Sequence, residues 1–285
     1  MARILTLTLN PALDLTVRLQ SLQPGALNRS LGQSSHAAGK GLNVAQVLAD
    51  LGHKVTVGGF LGAANAGPFE ALFARRGFID AFVRVPGETR SNIKLAEQDG
   101  RITDLNGPGP QVEARHQAEL LERLEQIAAG HDAVVVAGSL PQGVSPEWFA
   151  GLLRRLKALG LPLVLDSSGA ALRAGLAVGP WLIKPNAEEL AEACELPSET
   201  GAELHAAALR LRGQGKKVCS AGQQLTIRIN RSEKVSIMIR SVVLYRIAQV
   251  SNPHGLGFFL QGGFRVTAFA KSIGISEQRK DKLLN

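Results

Sequence analysis

Short apolar runs alternate with amphipathic stretches along the first 215 residues, and this alternation restricts the possible folds more than any other feature of the chain. The apolar runs predict β-strands at residues 3–9, 54–60, 132–137, 161–166 and 181–184. The amphipathic stretches predict helices at residues 43–51, 68–76, 112–129, 146–159, 187–195 and 200–212. Because parallel strands are joined by long crossovers that are usually helices, this order predicts an α/β fold with a mostly parallel sheet covered on both faces.

Several of these helices carry start or stop signals. Ser145 before Pro146 is typical of an N-cap followed by proline at the first helical position. Glycine often ends a helix because it adopts the left-handed backbone conformation without strain. Glycines follow five of the predicted helices, at Gly52, Gly77, Gly130, Gly160 and Gly213. These signals support the predicted boundaries.

Residues 91–103 interrupt the alternation. They predict two strands around the Asp99-Gly100 dipeptide, which is typical of a tight hairpin turn. Residues 14–19 predict a further strand of the same small sheet. A hairpin within an α/β domain is often a lid or a dimer contact, so we expect a small β lid and a homodimer contact through it.

Composition changes near residue 215. The first 215 of the 285 residues contain 20 Lys and Arg against 21 Asp and Glu, whereas the last 70 contain 12 against 3. Alanine falls from 33 residues to 4 across the same point. A shifted reading frame would produce such a break, and a diverged natural tail is the alternative. The basic residues of the tail are scattered and match no nucleic-acid-binding motif, so we expect no nucleic-acid partner.

The sequence argues against a membrane or secreted protein. No apolar run approaches the ~20 residues of a membrane span, and the N-terminus alternates Thr with Leu before Asn10-Pro11, unlike a signal peptide. Two cysteines, Cys194 and Cys219, are too few for a disulfide framework, and we expect them to be buried as small apolar side chains. We therefore expect a soluble, cytoplasmic protein with no membrane partner.

A glycine-rich turn, Gly39-Lys40-Gly41-Leu42-Asn43, opens the first predicted helix. Glycines let the backbone approach a ligand, and a helix start offers unpaired N–H groups to an anion. Such turns are more often structural than functional. The spacing also differs from that of a Walker A loop and of a dinucleotide-binding fingerprint.

Several segments, in order, resemble the ribokinase (PfkB) family of carbohydrate kinases. The opening segments are TLNPALD (residues 8–14), AGKGLNVA (38–45) and GGFLG (58–62). The next two, PGETRSNI (86–93) and TDLNGPGP (103–110), resemble the 1-phosphofructokinase branch, and AGSLP (137–141) and KPNAEEL (184–190) continue the match. The resemblance extends from residue 1 to about residue 215.

This resemblance implies a single ribokinase-like domain over residues 1–285. The fold would be a three-layer αβα sandwich with a mostly parallel sheet and a small β lid. The lid segments would lie at about residues 12–35 and 86–106, and residues 216–285 would be atypical.

The resemblance also implies a sugar-phosphate site made of Asp14, Gly39, Lys40, Gly41, Asn43, Arg90 and Ser139. Asp14 would accept hydrogen bonds from sugar hydroxyls, since a carboxylate offers several acceptor positions. It could instead be an ordinary turn or capping residue. Arg90 would hold the phosphate already on the substrate, because its planar guanidinium matches phosphate oxygens. Ser139, just past a strand end, would line the floor of the site.

A second implied cluster, for ATP and Mg²⁺, consists of Lys184, Asn186 and Glu189. Asn186 and Glu189 match the family's Asn-x-x-Glu motif, in which Glu189 would act on Mg²⁺ through water. The same pair also fits a capping box, and both roles are compatible. Ser220 and Gly222 resemble the family's nucleotide-binding turn.

The family's Gly-Ala-Gly-Asp motif, which supplies an anion hole and the catalytic base, does not occur in this chain. A relic of it is Gly255-Leu256-Gly257-Phe258, which places Phe258 where the base belongs. The alternative is that this similarity is accidental. Phenylalanine cannot accept a proton, so the resemblance leaves the catalytic base unidentified.

The implied parent reaction is transfer of the ATP γ-phosphoryl group to fructose 1-phosphate, giving fructose 1,6-bisphosphate. Two alternatives remain open, a tagatose-6-phosphate kinase and a catalytically defective homologue that binds a sugar phosphate. A carboxylate near the acceptor hydroxyl would distinguish the active from the defective protein.

Overall fold

The computed structural model describes residues 1–196, Glu203 and the strand Lys217–Val218. The elements follow the chain as β1 (Arg3–Thr8), β2 (Ala12–Leu19), β3 (Gly32–Ala38), α1 (Lys40–Asp50), β4 (Lys54–Gly62), α2 (Gly67–Arg76), β5 (Ile79–Val85), β6 (Arg90–Glu97), β7 (Ile102–Asn106), α3 (Ala114–Ala128), β8 (Ala133–Ala137), α4 (Pro146–Ala158), β9 (Leu163–Asp166), α5 (Gly169–Val178), β10 (Leu182–Ile183), α6 (Ala187–Ala193) and β11 (Lys217–Val218). The predicted helix at residues 200–212, its stop at Gly213, and Cys219 lie outside the described residues.

Seven strands form the main sheet, in the spatial order β11-β10-β9-β8-β1-β4-β5. Every described pair of neighbouring strands in this sheet is parallel. The five predicted strands of the alternating region correspond to β1, β4, β8, β9 and β10. The predicted parallel sheet is therefore confirmed.

Side chains of the main sheet alternate between two apolar cores. In β1, Leu5 and Leu7 are fully buried in one core and Ile4 in the other. Helices α3, α4, α5 and α6 cover the first core, and α1 and α2 cover the second. Because a strand points successive side chains to opposite faces, a sheet covered on both sides needs apolar residues at consecutive positions. The predicted three-layer αβα arrangement is confirmed.

A second sheet has four strands in the order β3-β2-β6-β7. Strands β6 and β7 form the predicted antiparallel hairpin, and β2 pairs with β6 as the predicted additional strand. Strand β3 was not predicted, and it pairs antiparallel with β2 from Gly32 to Ala38. The segment after residue 90 thus lies neither in a helix nor in the main sheet. We refer to this four-stranded sheet as the lid.

The helix ends largely follow the predicted signals. The Trp148 N–H donates to the Ser145 hydroxyl at 3.1 Å, which confirms the N-cap of α4. Gly77 ends α2 in the left-handed conformation, and Gly52 and Gly160 have positive φ just past the ends of α1 and α4. Gly130 lies just past the end of α3 at Ala128, as predicted, although its φ is not positive.

Besides β3, the elements β5, α5 and β11 were not predicted. Strand β5 carries Asp80 and Arg84, which pair with each other at 2.6 Å and interrupt the apolar pattern of an edge strand. Helix α5 begins at Gly169 and is largely apolar, so it lacks the polar–apolar period that identifies a helix. Helix α1 also begins three residues earlier than predicted, at Lys40.

Two sequence-based expectations concern burial and membranes. Cys194 packs against the first core but is only partly buried, whereas the sequence predicted a buried side chain. Among the helices that the structure describes, none combines the length and apolar character that crossing a bilayer requires.

Candidate active site

The strand order of the main sheet reverses at β1. From β1 the chain leads through α1 to β4 on one side, and α3 later leads to β8 on the other side. In open α/β sheets, ligands bind in the crevice outside the carboxyl ends of the strands at such a reversal. Asn10 after β1, Gly138 after β8 and Asp166 at the end of β9 lie at this edge.

The start of α1 lies directly against the end of β1. Gly39 has a φ of 143°, and a Cβ at this residue would lie 2.7 Å from Cγ2 of Thr8. A Cβ at Gly41 would lie 2.7 Å from the carbonyl oxygen of Leu7. Only glycine therefore allows this approach of helix to strand. No side chain caps the first turn of α1, so its N–H groups remain available to an anion.

The lid brings Asp14, Asn92 and Arg90 together. The Asn92 amide donates to Oδ1 of Asp14 at 3.0 Å, and Arg90 Nη1 donates to Oδ1 of Asn92 at 3.0 Å. Asp14 and Arg90 were predicted from the resemblance, whereas Asn92 was missed. Its signal was its position in the hairpin, two residues after Arg90 and therefore on the same face of the strand.

Arg90 is a half-buried cation. Its guanidinium donates to the carbonyl oxygens of Gly107 at 3.3 Å and of Asn10 at 3.4 Å, and its buried Nε makes no hydrogen bond with the described residues. Burial lowers the pKa of Arg90 below its ordinary value, and the negative charge of Asp14 opposes this effect. Within the described part of the chain, no carboxylate forms a salt bridge with Arg90. A bound anion would supply the charge that this environment lacks.

Asn10 links three segments around the crevice. Its buried side-chain amide donates to the Pro108 carbonyl, the Ser139 hydroxyl and the Leu140 carbonyl, each at 3.3 Å. These contacts fix Ser139, a predicted site residue, beside the end of β1. Sequence reasoning used Asn10 only as part of a motif and missed this positioning role.

A second cluster forms where β9, β10 and α1 meet. Lys184 Nζ lies 2.8 Å from Oδ2 of Asp166, and both side chains are almost completely buried. Lys40 Nζ lies 3.3 Å from Oδ1 of Asp166 and 3.6 Å from Oε1 of Glu189. The side chain of Lys40 is 38% exposed, so it remains partly accessible to solvent. Asp166 was not predicted as a site residue, although its place at a strand's carboxyl end was a usable signal.

Asn186 and Glu189 form the predicted capping box at the start of α6. The Glu189 N–H donates to Oδ1 of Asn186 at 2.7 Å, and the Asn186 N–H donates to Oε2 of Glu189 at 2.8 Å. The other carboxylate oxygen of Glu189 faces Lys40. The capping interaction thus orients Glu189 toward Lys40.

The described residues contain no group of three or more His, Cys, Asp or Glu side chains arranged to hold a metal ion. This is compatible with Mg²⁺, which usually keeps several waters and binds protein through one or two carboxylates. Glu189 and Asp166 offer such oxygens beside Lys40. The donor set therefore fits a hydrated Mg²⁺ that is held chiefly by the phosphates of a nucleotide.

The remaining predicted residues, Ser220, Gly222, Gly255, Gly257 and Phe258, lie outside the described residues. Their roles stay predictions. Gly39, Lys40, Gly41 and Ser139 lie at one crevice with the lid residues Asp14 and Arg90, and Asn43 lies in the first turn of α1.

The model of the pfkB family of carbohydrate kinases matches residues 7–235 of this chain. The 1-phosphofructokinase of Vibrio cholerae is 47% identical over 225 residues, which cover 78% of this chain and 71% of the relative. The family match extends past residue 215, where the composition changes.

Two solved structures extend the comparison to the fold. Phosphofructokinase-2 from Escherichia coli in complex with fructose-6-phosphate has a TM-score of 0.73 and 26% identity, covering 86% of this chain and 88% of that chain. The tetrameric inhibited form of phosphofructokinase-2 from Escherichia coli has a TM-score of 0.71 and 25% identity over the same shares. The predicted ribokinase-like fold is confirmed.

Proposed function

The chain belongs to the pfkB family of carbohydrate kinases, and from this premise we propose that its sugar-phosphate substrate is fructose 1-phosphate. The parent reaction is transfer of the ATP γ-phosphoryl group to the C6 hydroxyl, which gives fructose 1,6-bisphosphate. The name of the Vibrio cholerae relative, 1-phosphofructokinase, supports this choice of substrate.

The observation that carries the proposal is the environment of Arg90. A half-buried guanidinium with no carboxylate in salt-bridge range among the described residues favours a bound anion. Its planar donors match a phosphate, and the neighbouring Asp14 would repel a second anionic group. This arrangement suits a ligand with one phosphate at Arg90 and hydroxyl groups toward Asp14.

The second cluster is the proposed site of phosphoryl transfer. Lys40 is the first residue of α1, and its ammonium group lies 3.3 Å from Asp166 and 3.6 Å from Glu189. Its ammonium and the free N–H groups of the first turn would stabilise negative charge on the transferring group. Lys184 and Asn186 would contact the nucleotide phosphates, whereas the Glu189 carboxylate would act on them only through a bound Mg²⁺. Bound Mg²⁺ neutralises phosphate charge, and Glu189 would reach it through water.

A second candidate function is binding of a sugar phosphate with little turnover. It is favoured by one observation, the absence of the Gly-Ala-Gly-Asp sequence from the chain. Losing a general base commonly lowers a rate by about 10²–10⁴-fold. The same lid residues would then serve binding alone.

We also propose that residues 1–285 form a single domain. Two copies of this domain would form a homodimer through the lid. The lid face opposite Asp14 carries Leu15, Ile93 and Leu105 on one rung, and Leu105 is 52% exposed. Apolar side chains on an open sheet face favour contact with another apolar surface. We propose that the protein is cytoplasmic, because ATP and sugar phosphates are cytoplasmic metabolites.

Calorimetric titration of the full chain tests the substrate. We expect fructose 1-phosphate to bind more tightly than tagatose 6-phosphate, and free fructose to bind weakest because it leaves Arg90 without its anion. A coupled assay for fructose 1,6-bisphosphate then separates the kinase from the binder. Tighter binding of tagatose 6-phosphate, or equal binding of free fructose, would contradict the proposed substrate.

A further inference from the structure

One rung of the lid carries four polar side chains in a row across its four strands. Asp14 of β2 is paired with His36 of β3 and with Asn92 of β6, and Asn92 is paired with Asn106 of β7. Residues that pair across neighbouring strands project from the same face of a sheet. His36, Asp14, Asn92 and Asn106 therefore form one polar row, which we call the polar rung.

The hydrogen bonds show which face the polar rung occupies. Asn92 donates to Asp14 across the strands and accepts from Arg90, which precedes it by two residues in β6. Arg90 in turn contacts the carbonyl oxygen of Asn10 at the end of β1. The polar rung thus shares its face with Arg90, and this face turns toward the carboxyl edge of the main sheet.

His36 occupies an open position in this row. Its side chain is exposed, and it makes no hydrogen bond with the described residues. Directly opposed residues in antiparallel strands have Cβ atoms about 4.5–5.5 Å apart, so the side chains of His36 and Asp14 leave the sheet as neighbours on the same face. An imidazole can donate and accept hydrogen bonds, as a sugar hydroxyl also can.

The distance from Arg90 suits a sugar phosphate. Asn92 follows Arg90 by two residues in β6, which corresponds to about 6.6 Å along a strand. A phosphate at Arg90 would therefore place the carbon chain of a ketose across the polar rung. The carboxylate, the two amides and the imidazole would then face successive hydroxyl groups.

We propose that His36 is a further substrate-contacting residue, which forms a hydrogen bond with a hydroxyl group of the ketose phosphate beside Asp14. Asn92 orients Asp14 and Arg90, and Asn106 closes the polar rung at its far end. This inference rests on the proposed function, because it takes the ligand of Arg90 to be a sugar phosphate.

The test is calorimetric titration of the full-length His36→Ala variant with fructose 1-phosphate, tagatose 6-phosphate and inorganic phosphate, the last by competition. Gln33→Ala is the matched control, since Gln33 is an exposed polar residue of β3 on the opposite face. We expect His36→Ala to lose about three- to tenfold in affinity for the preferred ketose phosphate, the effect of one hydrogen bond. His36→Gln should retain most of the affinity, and Gln33→Ala all of it.

Inorganic phosphate separates hydroxyl recognition from phosphate recognition. Its affinity should not change in His36→Ala and should fall in Arg90→Ala. Unchanged ketose-phosphate affinity in His36→Ala, an equal loss in Gln33→Ala, or a parallel loss of inorganic phosphate would each overturn the role of His36. Thermal melting of each variant checks that it is folded.

The proposed substrate can fail separately from this inference. If the chain prefers tagatose 6-phosphate, fructose 1-phosphate is the wrong substrate, and the comparison of His36→Ala with Gln33→Ala in that ligand still decides the role of His36. If the full chain binds neither ketose phosphate, both the substrate and the polar rung are refuted.

Discussion

Single side chains in this protein hold charges that the fold only partly compensates. Arg90 is half-buried and satisfied mainly by carbonyl oxygens and an amide, whereas Lys184 lies 2.8 Å from a buried carboxylate. The two cations therefore differ in what they require. The proposed partner of Arg90 is an external anion, whereas Lys184 is part of an internal ion pair.

The first prediction concerns Arg90→Ala. We expect this variant to lose affinity for fructose 1-phosphate by about 10- to 100-fold, the range for charge-assisted hydrogen bonds, and to bind ATP nearly as before. Calorimetry with both ligands measures the two losses. Arg18→Ala is the control, because Arg18 is an exposed arginine of the lid farther along β2. Equal losses for both ligands, or a similar loss in Arg18→Ala, would refute the phosphate contact.

The second prediction concerns the buried ion pair. Asp166→Ala removes the carboxylate beside Lys184 and should lower the free energy of unfolding by about 3 kcal/mol, since breaking a buried pair leaves a charge that burial penalises. Urea denaturation measures this. The control is Asp104→Ala, which breaks the Lys94–Asp104 pair of 2.7 Å at an exposed site and should cost below about 1 kcal/mol. Similar losses in the two variants would show that burial does not strengthen the pair.

At the scale of secondary-structure elements, the sequence predicted most of the helices and strands whose polar and apolar residues alternate with a regular period. The hairpin of β6 and β7 was predictable because Asp99-Gly100 specifies a tight turn between alternating strands. Helix α5 and strand β5 were not, because their polar–apolar patterns are weak and their assignment depends on tertiary packing.

The residues of the candidate site also differ in how well the sequence predicted them. Asp14, Arg90 and the capping box at Asn186 were predictable because they lie in recognisable motifs. Asp166 and Asn92 had only weak signals, a place at a strand's carboxyl end and a place in the hairpin, because their importance comes from contacts with residues distant in the chain. Asp166 meets Lys40 across 126 positions, a separation that no local pattern reports.

The junction of α3 and β8 contains a pH-sensitive contact. His131 Nδ1 lies 2.9 Å from the Ile127 carbonyl, which can only accept, so Nδ1 carries the proton and Nε2 accepts from the Thr56 hydroxyl at 2.8 Å. Burial lowers the pKa of His131 below its ordinary value of 6.5. The nearby positive charge of Arg3 acts in the same direction.

The third prediction follows from the sign of this shift. Below about pH 6.5 the unfolded chain binds a proton at His131 more readily than the folded chain does, so stability falls as the pH decreases. Urea midpoints between pH 7.5 and 5.5 should fall more steeply for the wild type than for His131→Gln. Equal slopes would show that His131 does not contribute to acid sensitivity.

The fourth prediction concerns the proposed dimer contact through the apolar face of the lid. If Leu15, Ile93 and Leu105 meet a second copy, Leu105→Glu should convert a dimer into a monomer, because a charge would be buried in the interface. Light scattering measures the mass. Asp104→Ala, on the polar face beside it, should leave the mass unchanged. A monomeric wild type would refute the lid contact.

For the whole molecule, binding and turnover are separable. The lid and the main sheet supply the two clusters proposed to bind the sugar phosphate and the transferring phosphoryl group, whereas the family's Gly-Ala-Gly-Asp motif is missing from the sequence. We therefore expect intact substrate recognition with impaired chemistry. The acceptor hydroxyl must lose its proton as the phosphoryl group arrives, and Phe258 cannot take it.

The fifth prediction is a low rate of fructose 1,6-bisphosphate formation, at least about 10²-fold below the typical enzyme value of about 10 s⁻¹. A coupled assay measures it, with the 1-phosphofructokinase of Vibrio cholerae as the positive control. Turnover near the typical value would contradict the loss of the base. Asp14→Asn and Asp166→Asn would then identify which remaining carboxylate accepts the proton.

The two-sheet construction also has an evolutionary consequence. Every residue of the polar rung, and Arg90, belongs to the lid, which two short stretches of chain supply, while Lys40, Asp166, Lys184 and Glu189 belong to the αβα layers. If the proposed roles hold, a recombination event that exchanges only those two stretches would alter which sugar is accepted and leave the residues of the phosphate cluster unchanged. Sugar preference and phosphoryl chemistry could thus be inherited independently. Relatives could then change their sugar substrate without changes in the αβα layers.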